Sequence, residues 1–170
     1  MTTTTHEMTR LNIATGIPFD DFRTAFEQAA PAFDTALFDG IAQRGGTWDD
    51  VKDAVAGLAP YDLIIYAILD ATPLMTLAGH RTRAVEYLLG NHVIAETMFR
   101  HDPNALLYAP LRVLIFSDDA GNAVFAIDRP STVFGGLNHD DITPVGFDLD
   151  TKVAGLLAAL GVDAKEALGR

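Results

Sequence analysis

Leu111-Arg112-Val113-Leu114-Ile115-Phe116-Ser117, then Asp118-Asp119-Ala120-Gly121-Asn122, then Ala123-Val124-Phe125-Ala126-Ile127-Asp128, is the stretch whose reading decides the fold. Two apolar runs of strand length, rich in β-branched and aromatic residues, flank a turn built on Asp, Gly and Asn. They predict a β-hairpin, and a hairpin makes the sheet antiparallel at that point.

Upstream, Arg83, Val85, Tyr87 and Leu89 alternate with Glu86 between them, which reads as a strand ended by Gly90. Asn91 can cap a helix running to about His101, and Asp102-Pro103 closes it. The run 63–69 is a continuously apolar strand, and between it and Thr82 lies a short apolar segment whose type the sequence leaves open. Leu11, Ile13, Thr15 and Ile17 give a first strand of period two. Phe19, Phe22, Phe26 and Ala29 form a helical stripe ended by Pro31. A short helix around Leu37 and Ile41 and another around Val51 and Val55, with Thr47 and Asp50 as its N-cap pair, complete the front half. After the hairpin the expectation is a long loop through Gly135-Gly136, then a final helix capped by Asp148 and ended by Gly161. Strands and helices do not alternate strictly, so the class is α+β with a largely antiparallel sheet. One domain over 10–165 follows, with residues 1–9 as a disordered tail and 33–58 as a helical elaboration.

The chain has 170 residues, no cysteine and a net charge of -11. Without thiols, disulfides and cysteine-ligated metals are excluded, and a reducing, cytoplasmic setting fits. So acidic a surface repels phosphate backbones, so no nucleic-acid partner is expected. The opening residues have neither a basic nor an apolar stretch and do not read as a leader, and the run 63–69 is too short to cross a membrane. No G-x-S-x-G, phosphate loop or dinucleotide fingerprint is present, and no cofactor is expected.

Gly90-Asn91, Thr97-Met98, His101-Asp102-Pro103, Leu107-Tyr108-Ala109-Pro110-Leu111-Arg112-Val113, the turn Asp118-Asp119-Ala120-Gly121, Pro130-Ser131 and Val133-Phe134-Gly135 together resemble the family called domain of unknown function 302. The resemblance implies a TATA-box-binding-protein-like fold: a curved, largely antiparallel sheet with helices packed on one face. It implies neither DNA binding nor any catalytic residue.

The remaining candidates come from the residues. His92 and Glu96 share a helix face, with Arg100 four beyond, and read either as an acid/base pair in which Glu96 orients His92 or as a solvated charge ladder. His101 and Asp102 sit at a helix end, where a protonated His is favoured by the dipole and Asp102 can cap the next turn. The sequence places no third ligand beside His101, and His139-Asp140-Asp141 reads as an acidic loop, so no metal site is expected. Tyr108 and Arg112 bracket Pro110 at the mouth of a strand, and Tyr87 lies on the preceding one. Arg112 shares a face with Leu114 and Phe116, so its guanidinium is expected to be partly desolvated. It then needs an anion from the protein, a second subunit or a ligand.

The strands 63–69 and 111–116 are apolar on both faces. A second apolar face must be covered by a partner subunit, by the helices of 33–58 or by an apolar ligand. The leading expectation is a homodimeric module that binds a small, largely apolar or anionic molecule at Arg112, Tyr108 and Tyr87. The alternatives are a cofactor-independent enzyme using His92, Glu96 or His101, and a structural interaction protein.

Overall fold

A computed structural model describes residues 3–169. Five strands, β1 (Arg10–Pro18), β2 (Ile64–Asp70), β3 (Ala84–Gly90), β4 (Leu111–Ser117) and β5 (Asn122–Asp128), form one sheet in the order β1-β5-β4-β3-β2. Every neighbouring pair is antiparallel. The hairpin expected at Gly121 joins β4 to β5, and Gly121 takes the left-handed φ of 85° that its tight turn requires.

One face of the sheet carries the main core. Val85, Tyr87, Leu89, Val113, Ile115, Phe125 and Ile127 point into it. The phenylalanine stripe of α1 (Phe19–Ala29) covers them, with Phe26 packed edge-on against Tyr87 at 5.0 Å and Phe125 at 6.0 Å. Asp20 and Asp21 in the first turn complement the helix dipole. Leu149, Val153, Leu156 and Leu157 of α7 (Thr143–Ala159) fill the rest of the same core. Each such side chain contributes about 1.5–3 kcal/mol by leaving water.

Between the sheet's ends run α2 (Thr35–Gln43) and α3 (Trp48–Leu58). Thr47 and Asp50 form the expected capping box. These helices make a second, smaller core from Val55, Ala59 and Ile64, flanked by Phe33, Phe38 and Tyr66. The chain at Pro31 and Phe33 hydrogen bonds to Ile65, closing the start of the β2 edge. Leu69 and Leu114, farther along the sheet, stay exposed, so α2 and α3 cover only one end of the second face.

Several local expectations are corrected. The segment of open type is helical, α4 (Thr72–Leu77), and α5 spans His92–Phe99, with Asn91 accepting from the amides of Val93 and Ile94. The stretch expected as a long loop forms α6 (Pro130–Gly135), because the carboxylate of Asp150 accepts from the Ser131 amide and caps it from another helix. Asp148 does not cap α7, which starts five residues earlier, and instead pairs with Lys152 one turn on. A short α8 (Lys165–Leu168) follows α7, which ends at Gly161 with φ 80°. Among the described residues no helix is long and apolar enough to cross a membrane.

Candidate functional site

The second face of the sheet is a row-by-row mixture of apolar and charged side chains. One row runs Asn12, Ala126, Leu114, Glu86 and Leu69 across all five strands. The row beside it holds Ala67, Leu88 and Arg112, with Asp128 and Arg10 paired at its far side. All of these except Ala67 and Leu88, with Ile68, Asp70 and Phe116, line an open hollow of about 670 Å³. Arg112 also borders a neighbouring hollow of about 180 Å³ with Tyr108, Met8, Leu107 and Asp128. Tyr108 and Arg112 therefore converge on one place, as their spacing around Pro110 suggests.

The charges of this face differ in how they are satisfied. Arg10 gives a two-pronged pair of 2.8 Å hydrogen bonds to both oxygens of Asp128. On the helix-covered side, Arg23 of α1 holds Asp70 at 2.9 Å and Glu27 at 2.9 Å. Arg112 has no hydrogen-bond or ion-pair partner among the described residues, and neither has Glu86, its diagonal neighbour across β3 and β4. The expectation that Arg112 is desolvated is corrected: it is exposed, because no helix lies over that part of the sheet. Tyr87 is fully buried on the opposite face, where its hydroxyl donates to Glu27 at 2.8 Å. Burial and the Glu27 carboxylate both hold its phenol protonated, and the sheet separates it from Arg112.

His92 opens α5 and meets residues that the sequence kept apart. Its Nδ1 lies 2.6 Å from the hydroxyl of Tyr66. Phe33 and Phe38 stack on each other at 4.8 Å and pack against the imidazole at 5.3 and 5.7 Å. Burial lowers the His92 pKa from its ordinary value and pushes the Tyr66 phenol up to about 12, so both are neutral near pH 7. Tyr66, Asn91, His92, Ala95, Leu106, Ala109 and Pro110 line a pocket of about 250 Å³. Glu96 does not orient His92, since Arg100 binds both of its oxygens. The orienting group is Tyr66, and the one signal for it in the sequence is a hydroxyl inside the otherwise apolar run 63–69.

His101, at the end of α5, lies with its ring 5.0 Å from that of His139. Asp141 approaches both, at 3.7 and 3.8 Å, so the loop read as merely acidic brings its side chains to His101. Asp102 caps the 3₁₀ turn Pro103–Leu107, accepting from the Asn104 amide at 2.9 Å.

The model of the family described as Domain of unknown function DUF302 matches residues 48–160. The chain belongs to the DUF302 family. The match takes in α3 and everything from β2 into α7, while β1, α1 and α2 lie outside it. The crystal structure of an uncharacterized conserved DUF302 protein from Bacillus stearothermophilus superposes with a TM-score of 0.63 at 11% identity, covering 90% of this chain and 98% of that one. At that identity the likeness shows the DUF302 fold alone. No curated protein matches the chain closely enough to count as a relative.

Proposed function

We propose that this chain is a homodimeric module that binds a small molecule with an apolar body and a carboxylate on the open face of its sheet. The observation that carries this reading is Arg112. It is a permanent cation with five donors in a fixed fork, unpaired among the described residues and set beside Leu88 and Leu114. A carboxylate is the anion that fits that fork through two parallel hydrogen bonds. Glu86, its diagonal neighbour at about 7–8 Å, is the internal competitor within reach, but it forms no hydrogen bond or ion pair with Arg112 among the described residues.

Support for the dimer lies at the free end of β2 and in α4. Leu69 is 53% exposed, and Leu74 and Leu77 of the following helix are 68% and 86% exposed; Ile68 and Leu114 beside the open face are exposed as well. The proposed occupant is a second copy, because a two-fold interface uses the same self-complementary patch twice. Native mass spectrometry of purified protein tests both halves. The expected species is twice 18.3 kDa, with or without a co-purified organic acid. A monomer that stays free of any carboxylate after exposure to a panel of them would contradict the reading.

A second reading, a cofactor-independent enzyme, is favoured by one specific arrangement. Neutral His92, held through Nδ1 by Tyr66, keeps its other ring nitrogen available for proton transfer beside the 250 Å³ pocket. Turnover of a carboxylate metabolite that is lost in His92→Gln with the fold intact would select this reading over the first.

A further inference from the structure

We propose that His101, His139 and Asp141 form a binding site for a divalent first-row transition metal ion, with zinc as its typical occupant. The residues come from two parts of the chain that the fold brings together. His101 ends the turn after α5, where its amide donates to the Met98 carbonyl at 3.0 Å. His139 and Asp141 sit in the loop ahead of α7. That loop is fixed by the His139 carbonyl, which accepts from the amides of Ile142 and Thr143, both at 3.0 Å, and by Asn138 in a left-handed conformation with φ 53°.

Ligand atoms of the three side chains all lie within 4.8 Å of one another. Asp141 Oδ2 is 3.7 Å from Nδ1 of His101 and 3.8 Å from Nδ1 of His139. Four-coordinate zinc with bonds near 2.0–2.1 Å sets neighbouring donors about 3.3–3.5 Å apart. Two of the three spacings are thus within a few tenths of an ångström of that value. The side chains are a third exposed or more, so rotation about χ1 and χ2 can close the remainder. Two imidazole nitrogens and one carboxylate suit zinc and its first-row neighbours, whereas magnesium and calcium select all-oxygen sites. Three protein ligands leave a fourth position for water.

Competing uses of these groups are weak. The Asp141 amide donates to His139 Nδ1 at 3.2 Å, a long bond that ligation of a metal by the same nitrogen would replace. Among the described residues Asp141 forms no other ion pair, while Arg100 is engaged by Glu96 and Lys152 by Asp62 and Asp148. The site is also separate from Arg112 and from the Tyr66–His92 pair, which use none of these residues.

Tag-free protein, stripped with chelator and titrated with zinc by calorimetry, gives the test, and cobalt absorption reports the geometry. Expected is one ion per chain, with affinity falling at least about tenfold in His101→Ala, in His139→Ala and in Asp141→Asn. His80→Ala, which removes a histidine far from the cluster in sequence, should bind as the parent does. Circular dichroism and melting of each variant confirm that the fold persists, as substitution of exposed side chains predicts. Stoichiometric zinc uptake that survives His101→Ala and His139→Ala alike, or uptake by the parent no greater than that of a His101→Ala, His139→Ala double variant, would overturn the proposal.

Discussion

The Tyr66 hydroxyl lies 2.6 Å from Nδ1 of His92, and two stacked phenylalanines, Phe33 and Phe38, flank the imidazole. Because burial lowers the His92 pKa, the unfolded chain holds the extra proton more tightly than the folded one. The resulting stabilisation is therefore complete above the unfolded histidine pKa of about 6.5 and is lost as pH falls through the lower folded value. An NMR titration of His92 is expected to give a midpoint below about 6.5, and Phe38→Ala, which opens the ring to water, should move it upward. A midpoint at or above the ordinary value in the parent protein would show that the aromatic pocket does not desolvate the ring.

A stability prediction follows from α6. Asp150 is 1% exposed and answers both Arg129 Nε at 3.1 Å and the Ser131 amide at 3.0 Å. Asp150→Ala strands a partly buried guanidinium and uncaps the helix. The expected loss is about 2–4 kcal/mol, at the lower side of a broken buried pair because Arg129 keeps some contact with water. Chemical denaturation measures it, and a loss under about 0.5 kcal/mol, the range of a surface change, would be inconsistent with the pair's role.

Gly146 makes the close approach of α6 and α7. A β-carbon there would come within 2.9 Å of Ser131 Cα and 3.1 Å of the Pro130 carbonyl oxygen, both backbone atoms that cannot turn aside. Gly146→Ala is thus expected to destabilise by about 1–3 kcal/mol despite alanine's better helix propensity. A rise in Tm would mean that the two helices slide apart freely.

For the dimer, Leu69→Asp combined with Leu77→Asp introduces charge at two exposed apolar positions. Light scattering should fall from twice the 18.3 kDa chain mass to that mass itself, with the far-ultraviolet spectrum unchanged. If the mass remains doubled, the contact lies elsewhere.

The reach of the sequence can be traced residue by residue. The hairpin at Gly121, the Phe19–Phe22–Phe26 stripe and the Asn91 and Thr47 caps were legible because each is a local pattern with one physical meaning. α6 was not, since its cap is Asp150, twenty residues away and on another helix. The meeting of Arg112 and Tyr108 at one hollow follows from their spacing around Pro110. The side of the sheet was misjudged for Tyr87, whose register with Val113 puts it on the helix-covered face. The Tyr66–His92 contact and the meeting of His101 with His139 depend on long-range packing that no window of sequence contains.

The central claim is that Arg112 receives a carboxylate on the open face. Its most direct test compares octanoate with octanamide, by calorimetry, on the parent protein and on Arg112→Leu. A charged hydrogen-bonded pair is worth about 1.5–3 kcal/mol, so octanoate should bind the parent roughly ten- to a hundredfold more tightly than it binds the variant. Octanamide should not distinguish the two proteins, and without ligand both should melt alike, as expected for an exposed side chain with no partner. Equal octanoate affinity for both proteins, or a variant that melts well below the parent in the absence of ligand, would show that Arg112 is solvated or serves the fold, and would contradict the account.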